Sequence, residues 1–129
     1  MSSVTDIMAY IPQRPPFVFI DTIDDISSGG ASTRFTVTAE CPLTANGVLT
    51  LAGLLENAAQ TCAVSSGGAI GYIGAVKRME VNRLPHVGET LCTEAHVVLQ
   101  SLNVSQVDCV ATVNGEPIAK TTLSIALQQ

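Results

Sequence analysis

Positive charge is scarce in this chain, tryptophan is absent, and no apolar run is long enough for a membrane. Six Lys and Arg stand against eleven Asp and Glu, a formal charge of -5 with an isoelectric point near 4.7. That balance lacks the basic footprint of a nucleic-acid binder. No apolar stretch approaches the roughly 20 residues of a bilayer-spanning helix. The N-terminus has no basic segment followed by an apolar one, so no secretory leader is expected and a cytoplasmic location is. The four cysteines, Cys41, Cys62, Cys92 and Cys109, form no C-x-x-C pair and read as buried free thiols. His86 and His96 stand at no ligand spacing from them, so neither a metal nor any other cofactor is expected. Charged residues make up only 13% of the 129 and hydrophobic ones 47%, with a mean hydropathy of +0.37. A chain of this length forms one domain, 1–129, and part of so much apolar surface is expected to lie in a subunit interface.

The stretch Gly47 to Gln60, GVLTLAGLLENAAQ, organises the rest. From Leu49 through Val64 nearly every position is apolar or small, the pattern of a helix buried on most of its circumference. One carboxylate, Glu56, interrupts it, and Gln60 lies one turn further on the same face, where its amide can hold a carboxyl group. Burial would raise the pKa of Glu56 and make it a candidate general acid or base. The alternative is that Glu56 points to water near the helix N-terminus, stabilised by the helix dipole.

Val4 to Tyr10 carries helical spacing and ends before Pro12, which predicts one or two turns serving as a lid or clasp outside the core. Pro12 to Pro16 is a stiff extended segment. Phe17 to Ile26 and Ala31 to Glu40 read as strands joined by Ser27-Ser28-Gly29-Gly30. Cys41 to Asn46 is a loop, Thr50 a helix N-cap, and Ser65-Ser66-Gly67-Gly68 a stop signal. Ile70 to Val81, Thr90 to Leu102, Val104 to Val113 and Pro117 to Leu127 are β-rich, with Asn114-Gly115 a strong hairpin turn. Two strands, one buried helix and four strands predict an α+β hot-dog fold, an antiparallel sheet wrapped around a long central helix. A dimer that extends the sheet and sets two helices side by side is expected.

Pro12-Gln13-Arg14-Pro15-Pro16-Phe17-Val18-Phe19-Ile20-Asp21 resembles the opening motif of the bacterial β-hydroxyacyl-acyl-carrier-protein dehydratases of the FabZ type: proline, histidine, arginine, any residue, proline, phenylalanine, three apolar residues, aspartate. Glu56-Asn57-Ala58-Ala59-Gln60 resembles the motif on their central helix. A weaker likeness follows in Tyr72-Ile73-Gly74-Ala75, Val87-Gly88-Glu89 and the closing Asn114-Gly115 hairpin. The resemblance implies a mechanism in which a histidine removes the proton beside the thioester carbonyl and a helix carboxyl protonates the departing hydroxyl. Glu56 matches the carboxyl. The histidine falls on Gln13, whose amide neither accepts nor delivers a proton near neutral pH. Cys41 to Asn46 also lacks the family's histidine- and glycine-containing loop, so oxyanion stabilisation would come from backbone N–H groups at Leu51 and Ala52. His96 alternates on the polar side of its strand and reads as a surface residue, and His86 lies in a turn.

The leading expectation is therefore a protein acting on, or binding, a 3-hydroxyacyl thioester of acyl carrier protein or coenzyme A. Its acyl tail would run beside the helix along Leu54, Leu55, Phe17 and Phe19. One alternative is an acyl-thioester hydrolase using Glu56 as base or nucleophile, which needs no histidine at position 13. Another is a non-catalytic acyl-binding subunit beside a related active chain, so that a homodimer, a heterodimer and a higher oligomer all remain open. Lys77, Arg78 and Arg83 hold half of the basic residues and mark either a carrier or pantetheine-phosphate entrance or an ordinary solvated strand face.

Overall fold

A computed structural model of the chain describes residues 7–66 and 71–127. β1 (Thr22–Ser27) and β2 (Gly30–Thr36) form the first hairpin. β3 (Thr44–Ala45) and β4 (Val48–Leu49) form a second, very short one. The central helix α1 (Leu51–Ser65) follows, then β5 (Gly71–Val81), β6 (Thr90–Gln100), β7 (Val104–Val113) and β8 (Glu116–Leu127). The β7–β8 turn places Asn114 and Gly115 at φ 51° and 80°, the mirror-image turn that matches strand twist. Asn46 and Gly47, at φ 55° and 80°, repeat it between β3 and β4, so part of the loop expected over Cys41 to Asn46 is a hairpin strand.

Six strands pair antiparallel in the order β1-β2-β6-β7-β8-β5. Register shifts interrupt four of the five ladders, at Ile23/Asp25, Ile73/Ala75, Val76/Arg78, Val97/Leu99 and Ala111/Thr112. Each such shift bends its strand and raises the local twist, which curls the sheet around α1. This is the hot-dog arrangement that the order of elements predicts. Leu54 of α1 packs into a cluster with Phe19, Phe35, Leu49, Leu91 and Ile118. Ala58 and Cys62 pack on Ala95, Val107, Cys109 and Leu123. Thr50 caps α1 as expected, its hydroxyl accepting the Gly53 N–H at 3.3 Å and donating to the Leu43 carbonyl at 2.8 Å.

Three boundaries differ from expectation for identifiable reasons. The first strand begins at Thr22 and not at Phe17, because the backbone of Phe17 and Phe19 bonds to side chains of α1 instead of to a neighbouring strand. β2 ends at Thr36, after which Val37 pairs with the Gly88–Glu89 turn through Val37 N to Glu89 O at 3.0 Å and Gly88 N to Val37 O at 2.8 Å. β6 stops at Gln100, short of Leu102, because the Ser101 N–H turns to the Val104 carbonyl at 2.9 Å. The N-terminal segment is also more than a lid. Ile7 and Ile11 are 0% and 3% exposed and share a cluster with Ile20, Ile23, Ala31 and Val64, so they belong to the core. Val4 to Asp6, Gly67-Gly68 and Ile70 of the expected elements lie outside the described residues.

All four cysteines are free. Cys62 and Cys109 are buried with sulfurs 3.4 Å apart, and the bond to Cys109 together with burial pushes the Cys62 thiol well up. Cys41 and Cys92 are only half-buried. No helix among the described residues is long and apolar enough to cross a membrane.

Candidate active site

The face of α1 that the sheet does not cover consists of Leu51, Ala52, Leu55, Glu56, Ala59 and Ala63, all exposed or half-buried. Helical spacing puts Glu56 in the middle of this stripe among small and apolar neighbours. Its carboxylate is held from one side: Gln60 Nε2 donates to Glu56 Oε2 at 3.0 Å.

Gln60 is 1% exposed, and both its amide nitrogen and its amide oxygen are engaged. Nε2 also donates to the Phe17 carbonyl at 3.0 Å, and Oε1 accepts the Phe19 N–H at 2.8 Å. Asn57, equally buried, donates through Nδ2 to the Phe19 carbonyl at 2.8 Å and accepts the Thr93 hydroxyl on Oδ1 at 2.6 Å. Two amides of the helix therefore do for the Phe17–Phe19 backbone what a neighbouring strand would do, satisfying polar groups that burial would otherwise strand. The sequence pairs Gln60 with Glu56 correctly but gives no role to Asn57 or Thr93. The available signal was a second amide in an otherwise apolar helix, which burial obliges to find partners.

This pinned strip carries the Gln13 region. The Phe17 N–H bonds the Arg14 carbonyl at 2.9 Å across a turn whose Pro15–Pro16 bond is cis, and Arg14 Nη1 donates to the carbonyls of Ile11 and Gln13, both at 2.8 Å. Gln13 is half-buried, and its Oε1 is enclosed without a hydrogen-bond partner among the described residues. The helix start offers the donors expected of it. The cap satisfies Gly53, while the Leu51 and Ala52 N–H groups precede the intrahelical ladder and both residues are exposed.

The residues expected along an acyl tail divide. Phe19 is fully buried and stacked on Phe35 with ring centroids 5.6 Å apart, and Leu54 is closed into the same cluster. Phe17, at 50% exposure, and half-buried Leu55 keep accessible surface.

The basic residues divide as well. Lys77 and Arg78 are exposed on β5, a sheet edge, with Arg78 paired to Glu80 at 3.1 Å. Arg83 is half-buried and held in ion pairs: its Nη1 and Nη2 take both oxygens of Glu89 at 2.8 and 3.1 Å, and Glu116 lies 3.5 Å from Nε. The Arg83 guanidinium and then the His86 N–H hold the Glu89 carboxyl down at about 2. His86 and His96 are both exposed on the surface, each beside a glutamate, Glu89 and Glu94 respectively.

The chain matches the family model described as ApeP dehydratase, ApeP-like, over residues 5–129. It is 27% identical to the 3-hydroxyacyl-[acyl-carrier-protein] dehydratase FabZ of Levilactobacillus brevis, with 91% of this chain and 86% of that protein aligned. It is 26% identical to the FabZ of Clostridioides difficile, with 98% of each covered. Among solved structures it is similar to the dehydratase heterocomplex ApeI:P from Xenorhabdus doucetiae at a TM-score of 0.81, 15% identity and coverage of 95% and 91%. The PaaI protein of the E. coli phenylacetic acid degradation operon has the same fold at a TM-score of 0.70, 21% identity and coverage of 81% and 80%.

Proposed function

The chain belongs to the ApeP-like dehydratase family, and on that premise we propose that it serves the dehydration of a 3-hydroxyacyl thioester with Glu56 as the proton donor. The observation that carries the reading is the Gln60-held carboxyl at the centre of the uncovered helix face. In the reaction the α-carbon loses a proton to a base, the C–O bond breaks, and the Glu56 proton leaves with the hydroxyl as water while the C=C bond forms. The Leu51 and Ala52 N–H groups would stabilise charge on the thioester oxygen. Phe17 and Leu55 would meet the acyl tail. Lys77 and Arg78 would face the phosphate of an acyl carrier protein or coenzyme A, with Arg83 adding only to the field.

The base is the missing part, since an amide at Gln13 takes no proton. Two observations favour a second reading, in which this chain gives Glu56 to a site completed by a histidine on a related chain. One is Gln13 itself; the other is the likeness to one chain of a dehydratase heterocomplex. The β5 edge, exposed from Gly74 to Arg78, is where such a subunit would extend the sheet, as would a second copy.

The test incubates the protein with 3-hydroxyacyl, enoyl and saturated thioesters and resolves products by mass. Loss of water that disappears in Glu56→Gln supports dehydration, whereas free thiol that depends on Glu56 points to hydrolysis. Gln13→His is expected to raise dehydration by about 10²- to 10⁴-fold, the usual contribution of a general base. Full dehydratase turnover in Glu56→Gln would remove Glu56 from the chemistry.

A further inference from the structure

Asn57 and Thr93 occupy the interface of helix, sheet and N-terminal strip, and both are 1% exposed. Asn57 satisfies the buried Phe19 carbonyl, but satisfying it does not require that the amide itself be held by a hydroxyl of a strand. What the two together add is direction. The Thr93 hydroxyl must donate to Asn57 Oδ1 at 2.6 Å, which turns Nδ2 toward the Phe19 carbonyl 2.8 Å away. Gln60 by itself is one amide touching the strip at Phe17 and Phe19, and it must also serve Glu56. A strip held by one side chain can pivot about it. Asn57, three residues earlier on α1, supplies a second anchor, and β6 fixes that anchor through Thr93. A neighbouring bond steadies the same turn of helix: the Thr61 hydroxyl bonds the Asn57 carbonyl and the Thr33 hydroxyl, both at 2.8 Å.

We propose that the Asn57–Thr93 pair is a positioning element of the site, setting where the Gln13-bearing strip crosses α1 independently of the Gln60–Glu56 bond. The inference rests on the reading that Gln13 and Glu56 face a common thioester, and it assigns the pair the distance between strip and substrate. A misplacement of about 1 Å at such a site costs about 10²-fold in rate, so a polar pair remote from the chemistry can govern turnover.

Two readouts on the full chain keep the inference separate from that reading. Residue-resolved amide exchange needs no activity: Asn57→Leu is expected to speed exchange at Phe19 by about tenfold or more while β6–β7 ladder amides stay protected. Thr93→Val, which frees the Asn57 amide to rotate, has a smaller effect of the same kind, and Thr93→Ser restores protection. In Gln13→His protein, Asn57→Leu is expected to lower kcat for dehydration by about 10²-fold with little change in KM, and Thr93→Ser to match the parent. Unchanged Phe19 exchange in both Asn57→Leu and Thr93→Val overturns the positioning role. Altered exchange in a Gln13→His protein that dehydrates nothing leaves the positioning intact and removes the reading of Gln13.

Discussion

Replacing Gln60 by leucine tests how the N-terminal strip is fastened to the helix. The volumes are similar and Gln60 is buried, so packing changes little, and the effect comes from three bonds lost at once. Phe19 is fully buried and its N–H donates to Gln60 Oε1, and leaving that N–H unpaired costs about 1–3 kcal/mol. The Phe17 carbonyl belongs to a half-exposed residue that water can reach, and the half-buried Glu56 carboxylate is similarly rescued, so these two add about 1 kcal/mol together. The expected loss is about 2–4 kcal/mol, a large part of the 5–15 kcal/mol typical of a domain. With a urea m-value of about 1–3 kcal/mol per molar, the unfolding midpoint should fall by about 0.7–4 M. Gln106→Leu, at a half-buried position of β7 bonded by none of the Gln60 partners, should stay within about 0.5 kcal/mol of the parent. Equal midpoints for the two variants would mean that the Gln60 bonds do not hold the strip.

Ile7→Ala should cost about 2–5 kcal/mol in urea unfolding because Ile7 is closed into the core; a loss below about 0.5 kcal/mol would return the segment to the status of a loose clasp. Glu89 gives a pH dependence. Its folded carboxyl sits at about 2 against an ordinary 4.5, so the stability it confers is fully present above the ordinary value and is lost as pH falls from there toward about 2. The stability gap between the parent and Glu89→Gln should therefore narrow over that window, and a gap constant from pH 6 to pH 2 would show that the Arg83–Glu89 pair is not its source.

The features legible in the sequence are those decided over a few residues. Asn114-Gly115 specifies its turn because only these residues take positive φ cheaply at both central positions, and Thr50 specifies a helix start because its hydroxyl reaches the Gly53 N–H locally. The same local rule was present in Asn46-Gly47, where the flanking strands are only two residues long and give no alternation to read. Helix and strand order followed from periodicity, and with it the hot-dog arrangement. Glu56 was legible as a lone acid in an apolar helix, and Gln60 as its neighbour one turn on. What the tertiary structure decided are pairings between residues far apart in the chain: Asn57 with Phe19, Gln60 with Phe17 and Phe19, and Thr93 with Asn57 are separated by 38, 43 and 41, and 36 positions. No periodicity encodes which buried carbonyl an amide will meet, because that depends on how the curled sheet sets strip and helix side by side. The same holds for Phe17 and Ile7. The sequence places Phe17 along an acyl tail and Ile7 in a clasp outside the core, and only the packed chain leaves Phe17 half in solvent while closing Ile7 against Val64 and Ile23.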